Sequence, residues 1–224
     1  PIVALPPFTP LLDFSANASH WLLATWDNYR FLTEDNLYWV SYFKSIKIAA
    51  ISTFICLLIG YPMAYGIARA TPTTRNILLM LVILPFWTSF LLRVYAWMGL
   101  LGKNGIVNSL LMNIGLIDAP LQMLYTDMAV YVGIVYTYIP FMILPLYATL
   151  EKMDTSLHDA AADLGAKPWQ TFIDVTLPLS KPGIIAGSLL VFIPAIGEYV
   201  IPALLGGIDS LMIGRTLYLS LIHI

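Results

Sequence analysis

Ser156-Leu157-His158-Asp159-Ala160-Ala161-Ala162-Asp163-Leu164-Gly165, then Pro168-Trp169, then Val175-Thr176-Leu177-Pro178, form a polar interruption in an apolar chain. Ser156 suits a helix N-cap, and Asp159 three residues on would complete a capping box. Ala160, Ala161 and Ala162 are strong helix formers. Gly165 suits the left-handed residue that closes a helix, and Pro168 the first position of the next. That second helix carries Trp169, Phe172, Ile173 and Leu177 and should stop near Pro178. The pattern predicts a short helix–turn–helix. Either it is a knob that docks a partner, with Trp169 and Phe172 as anchors, or it is an amphipathic linker on a membrane surface.

The flanking sequence decides the setting. The chain is 59% hydrophobic and 11% charged, more apolar surface than a soluble domain of 224 residues can hide. No charge falls between Lys47 and Arg69 or between Asp127 and Glu151. About 20 apolar residues cross a bilayer core of about 30 Å as a helix. The expected class is an all-α polytopic membrane protein with spans near 47–68, 77–101, 128–150 and 184–205 and a polar loop at 151–183. Pro62, Pro85, Pro140, Pro145 and Pro194 lie in or near these spans and predict kinks. Gly183 and Gly187 form a GxxxG, which suggests a close helix contact. A net charge of −2 argues against nucleic acid. The single cysteine, Cys56, cannot form an internal disulfide.

Charge bias in the loops sets an orientation. Arg69 and Arg75 follow the first span without an acid between them, which places that loop in the cytoplasm. The loop of residues 102–127 holds Lys103 against Asp118 and Asp127 and falls outside. Segment 151–183 returns to the cytoplasm. The leading segment, with Asp13, Asp27, Glu34 and Asp35, and the tail after Gly206 both fall outside. An external start at Pro1 without a signal peptide is the mark expected of a fragment that lacks an upstream span. The aromatics Trp21, Trp26, Tyr29, Tyr38, Trp39, Tyr42 and Phe43 read first as an interfacial belt, and second as a surface for an external partner. Asn17-Ala18-Ser19 matches a glycosylation sequon, a pattern of little weight.

The loop carries a further pattern: Asp159-Ala160-Ala161, three residues, Gly165, nine residues, Val175-Thr176-Leu177-Pro178. It resembles the E-A-A, Gly, I-x-L-P signature of ABC importer permeases, with Asp for Glu and Val for Ile. The stretches 49–54, 58–62, 89–97 and 197–202 are similar to the polyamine branch of that family, nearest to putrescine permeases, and the likeness fades after Arg215. The resemblance implies a type I, MetI-like permease fold with four of six spans present, the first and the last lacking. It implies a non-catalytic subunit of the bacterial inner membrane, without a cofactor of its own, that imports putrescine or spermidine. The loop then couples to a separate ATP-binding subunit dimer through Asp159, Ala160, Ala161, Gly165, Trp169, Leu177 and Pro178. Other implied partners are a second permease subunit and a periplasmic substrate-binding protein. No G-x-x-x-x-G-K-[ST] occurs in this chain, and Gly102-Lys103-Asn104 lacks the pattern's other residues. Another small solute is the alternative. An ion-coupled carrier is weaker, because it gives no reason for the knob, and an integral-membrane enzyme lacks any nucleophile or metal motif.

Arg93 and Glu198 fall inside predicted spans, where a charge needs a partner or a water-filled path. At 1.5 Å per residue along straight helices they lie about 24 Å and about 21 Å from the loop side. Three readings follow: an ion pair at an external gate, a purely structural pair, or a free Glu198 that attracts a cationic solute. Tyr131, Tyr136, Tyr138 and Tyr147 read mainly as packing, with cation–π contact to an amine as the second reading. His20, His158 and His223 do not cluster, no metal spacing occurs, and His158 reads as a solvated helix residue.

Overall fold

A computed structural model describes residues 36–207 and 210–222, with the side chains of 38–207 and 210–218. Asp13, Asp27, Glu34 and Asp35, the aromatics before Tyr38, the sequon at Asn17, His20 and His223 lie outside the described residues. Among the described residues every regular element is helical. The elements are α1 (Asn36–Arg69), α2 (Pro72–Ile83), α3 (Phe90–Leu101), α4 (Ile106–Asn113), α5 (Asp127–Glu151), α6 (Ser156–Asp163), α7 (Pro168–Thr171), α8 (Leu177–Leu179), α9 (Lys181–Ile196), α10 (Val200–Leu204) and α11 (Ile213–Ile222).

Two predicted spans are single helices. α1 starts well before residue 47, so the aromatics at 38–43 are helical, and its 34 residues exceed the thickness of the bilayer core. α5 carries Pro140 and Pro145 without a break. The predicted span at 77–101 is not straight. Pro85 has no N–H to continue the ladder, and the chain tightens into a 3₁₀ turn at Leu84–Trp87. Thr88 and Ser89 then take extended backbone angles, and the two arms meet at 92°. The span predicted at 184–205 starts at Lys181, stops at Ile196 and restarts as α10, so Glu198 sits in a gap between helices. Among the described residues two helices, α1 and α5, are each long and apolar enough to cross a membrane, and there are up to four crossings if the bent pairs Pro72–Trp87 with Phe90–Asn113 and Pro168–Leu179 with Lys181–Ile196 each count as one.

α1, α5 and α9 pack against one another as the central bundle. One buried cluster joins Ile48, Val94, Val130, Ile134, Ala195 and Ile201 at the α5 start. The other joins Cys56, Tyr61, Met142, Ile143, Leu146 and Val191 toward the α5 end. The close contact expected from the GxxxG is present. A Cβ on Gly183 would stand 2.6 Å from Thr149 Oγ1, and one on Gly187 2.9 Å from Met142 Sδ and 3.1 Å from the Met142 carbonyl oxygen. A Cβ on Gly187 forces both the Met142 side chain and its backbone to give. Gly187→Val is therefore expected to destabilise the protein by about 1–3 kcal/mol, read as a lower thermal unfolding midpoint in detergent. Gly66→Ala, where a Cβ meets nothing within 4 Å, is the control that should leave the midpoint in place.

Candidate functional site

The polar loop folds as a hairpin, α6 against α7 and a wide turn. The N-terminal cap differs from the sequence expectation: the Ser156 N–H donates to Asp154 Oδ1 at 2.9 Å. Ser156 and Asp159 form no capping box: the N-cap position is Thr155, and Asp154 takes the Ser156 N–H that Asp159 would accept from. That bond holds the exposed Asp154 carboxyl below its ordinary pKa. The C-terminal end is as expected. Gly165 has φ +82, its N–H donates to the Ala162 carbonyl at 2.9 Å, and the Ala166 N–H donates to the Ala161 carbonyl at 3.0 Å. These two bonds complete a Schellman closure. Pro168 opens α7, and Gln170 Oε1 accepts from the Lys167 N–H at 2.8 Å.

Residues Phe172–Thr176 then widen into a π-helical turn, closed by the Leu177 N–H on the Phe172 carbonyl. The helix does stop near Pro178: α8 ends at Leu179, and the chain bends by 62° into α9. The wide turn aims Phe172 inward. Its ring meets Tyr61 and Tyr65 edge-on, with centroids at 5.6 and 5.8 Å. Phe172 is therefore an anchor to α1 and not part of an exposed docking face. Tyr61 also exchanges a 2.9 Å hydrogen bond with Ser180 at the bend.

His158 is not simply solvated: its Nε2 bonds Thr176 Oγ1 at 3.0 Å and ties α6 to the wide turn. The hairpin is thus bound internally by His158 and to the bundle by Phe172, Tyr61 and Ser180. What it leaves outside is mixed: apolar side chains beside Asp154, Asp159, Asp163, Lys167 and Asp174. Leu164 is 89% exposed and Trp169 60%. Leu157, Ala160, Asp159, Leu177 and Pro178 are exposed as well, while Ala161 is half-buried. Sequence reasoning missed His158, Tyr61 and Ser180, because their partners lie on other elements.

The two intramembrane charges do not pair. Glu198 Oε1 accepts from the backbone N–H groups of Tyr199, Val200 and Ile201 at 3.1, 3.0 and 3.4 Å. Its Oε2 accepts from the Tyr138 hydroxyl at 2.6 Å. The carboxylate caps α10 and is 9% exposed. Arg93 lies with its guanidinium carbon 5.3 Å from the Phe86 ring centre and 5.9 Å from that of Phe90. The expected pair assumes two straight helices, and both helices are broken.

Residues 56–222 match the family model of the binding-protein-dependent transport system inner membrane component. The chain belongs to this family. The match continues past Arg215, where the likeness from sequence fades, and covers α11. Among relatives of this permease is the spermidine/putrescine transport system permease protein PotB of Haemophilus influenzae, 48% identical over 78% of this chain and 61% of that protein. PotB of Escherichia coli is 42% identical over 91% of this chain and 74% of that protein. The chain thus spans between three fifths and three quarters of the length of these two. The polyamine branch agrees with the sequence resemblance, but its narrower leaning toward a putrescine permease is corrected, since both relatives are named for spermidine as well.

Two solved structures share the fold. One is a bacterial ABC transporter that imports alginate, with a TM-score of 0.57 at 21% identity over 86% of this chain and 61% of that one. The other is a bacterial alginate ABC transporter in complex with an alginate pentasaccharide-bound periplasmic protein, at 0.61 and 20% over 88% and 73%.

Proposed function

We propose that this permease is a non-catalytic transmembrane subunit of an ATP-driven uptake system for polyamines. It forms half of the pathway with a second permease subunit and receives solute from a periplasmic binding protein. An ATPase dimer binds and hydrolyses ATP, and this chain needs no cofactor of its own. The residues 151–183 hairpin faces the cytoplasm, where the ATPase docks, and both ends of the sequence face the periplasm. The observation that carries this reading is a hairpin bound inward to the bundle by Phe172 and the Tyr61–Ser180 hydrogen bond, with Leu157, Leu164 and Trp169 left exposed on it. A partner that pushes there moves α1 through Tyr61 and Tyr65 and α9 through Ser180 together. Alternating access requires a bundle with two arrangements, and the hairpin is tied to two of its helices. The polyamine class is supported by the names of the relatives and by nothing in the site's own chemistry.

The test is radiolabelled spermidine and putrescine uptake into membrane vesicles that hold the full-length protein with the transport proteins encoded beside it. Uptake is expected to require ATP inside the vesicle and to disappear when the ATPase is deleted. Uptake that persists without the ATPase refutes the coupling, and ATP-dependent uptake of some other solute alone refutes the polyamine class.

A further inference from the structure

α6 has a weak hold on the rest of the hairpin. None of its residues is buried, so apolar packing does little to fix it. Among the described residues its hydrogen bonds stay within 154–166, with one exception: His158 Nε2 to Thr176 Oγ1 at 3.0 Å. Thr176 is 1% exposed, at the end of the wide turn. The His158 ring turns inward to reach it, and its Nδ1 is thereby sealed from solvent without a hydrogen-bond partner. A ring swung outward from this exposed helix would leave both nitrogens to water, so the inward pose carries a cost. Conflicts of this kind collect where function is placed above stability. Thr176 leads on to the bundle. The Ser180 N–H donates to the Thr176 carbonyl at 3.0 Å, and the Ser180 and Tyr61 hydroxyls share a 2.9 Å hydrogen bond. An unbroken series of hydrogen bonds thus runs from α6 through His158, Thr176 and Ser180 to Tyr61 on α1.

We infer that His158 is a positioning residue for coupling: it passes movement of α6 into the bundle, while other residues of the hairpin carry the docking itself. Leu164 is held by the Schellman closure at Gly165, and Trp169 belongs to the arm that Phe172 anchors. Both keep their places without His158. Without it, α6 is joined to that arm by the turn at 164–167 alone, and can swing there without pulling on Thr176. The ATPase then still binds and hydrolyses ATP, but less of its stroke reaches α1 and α9. The inference rests on the reading that an ATPase docks on this hairpin. A route of contacts becomes a route of coupling only when its members fail together, and the test is built on that.

The full-length permease is expressed with the transport proteins encoded beside it. ATPase co-purification, ATP hydrolysis and radiolabelled spermidine uptake are measured on the same vesicles. In His158→Ala, co-purification should stay within about twofold of the parent, while uptake per ATP hydrolysed falls about fivefold, the scale of one hydrogen bond. Thr176→Val keeps the buried shape and removes the hydroxyl, so it should give the same ratio, and the double variant should be no worse than either single one. His158→Gln, whose amide nitrogen can reach Thr176, should recover most of the loss. The thermal unfolding midpoint should not move in any of them, since no residue of α6 is buried. Unchanged uptake per ATP in both single variants overturns the inference, and so do losses that add in the double variant. A fall in co-purification as large as the fall in uptake also overturns it, because the contact then builds the docking face. A parent from which no ATPase co-purifies removes the docking reading and this inference with it. A parent that couples, beside variants that couple equally well, removes this inference alone.

Discussion

Gly165→Asn is expected to leave the hairpin folded and to reduce co-purification of the ATPase by more than tenfold, a loss of about 1.4 kcal/mol or more in binding. Two separable effects act at this residue. At φ +82 an ordinary L side chain is strained by about 1–2 kcal/mol, whereas Asn tolerates the left-handed region. Within this chain a Cβ at Gly165 meets nothing within 4 Å. A Cβ there therefore meets no clash among the described residues, so a loss of ATPase binding by a folded variant points to a partner at this position. Gly165→Val should lose ATPase binding through both effects, and Gly165→Asn through the second alone. Detergent-stable, properly folded Gly165→Asn that still binds the ATPase at full strength would show that Gly165 closes the helix but is not covered by the partner. The measurement is the ratio of ATPase to permease after affinity purification, with circular dichroism as the check on folding.

The hairpin was the legible part of the sequence because its determinants are local. Gly165 and Pro168 each act within one turn of themselves, so their positions translate directly into helix ends. Pro178 likewise marks where the second arm stops. The departures come from contacts that cross between elements. The capping box fails because Asp154, two residues upstream, takes the Ser156 N–H that the Asp159 carboxylate would accept from. Phe172 turns inward because the wide turn ahead of Pro178 rotates it toward Tyr61 and Tyr65. His158 finds Thr176, eighteen positions away in sequence, through the folded hairpin.

The membrane part was legible in class, but not in shape. Hydropathy marks where a span lies and is blind to a bend inside it. Pro85 predicts a kink, yet the 92° break also needs the extended backbone of Thr88 and Ser89, where the Thr88 hydroxyl takes the Pro85 carbonyl at 2.8 Å. Gly197 likewise marks the end of α9 one residue before Glu198. Depth counted along straight helices therefore puts Arg93 and Glu198 in reach of each other, and the broken helices do not. Each charge then needs its own account: Glu198 caps α10 within the chain, and Arg93 lies against the Phe86 and Phe90 rings.

Glu198→Ala is expected to remove most of the transport and to destabilise the protein by about 2–4 kcal/mol, because it leaves buried donors without acceptors. The orphaned groups are the Tyr138 hydroxyl and the N–H groups at the start of α10. Glu198→Gln separates structure from charge. Its amide oxygen can still accept from the α10 N–H groups, while the Tyr138 hydroxyl loses its carboxylate acceptor. If Glu198 acts by holding α10 to α5, Gln should recover most of the unfolding midpoint and keep uptake within about fivefold, roughly 1 kcal/mol in transition-state terms. Tyr138→Phe should then behave like Gln, since it removes the same hydrogen bond from the other side and leaves the carboxylate in place. The opposite pattern is equally readable. A Gln variant as stable as the parent but as inactive as Ala, beside an active Tyr138→Phe, would mean that the negative charge itself meets a cationic solute in transit. With four hydrogen bonds already on two oxygens and 9% of the residue exposed, the carboxylate in this conformation has little capacity for that contact. The holding role is therefore the one that the stability and uptake ratios are expected to return.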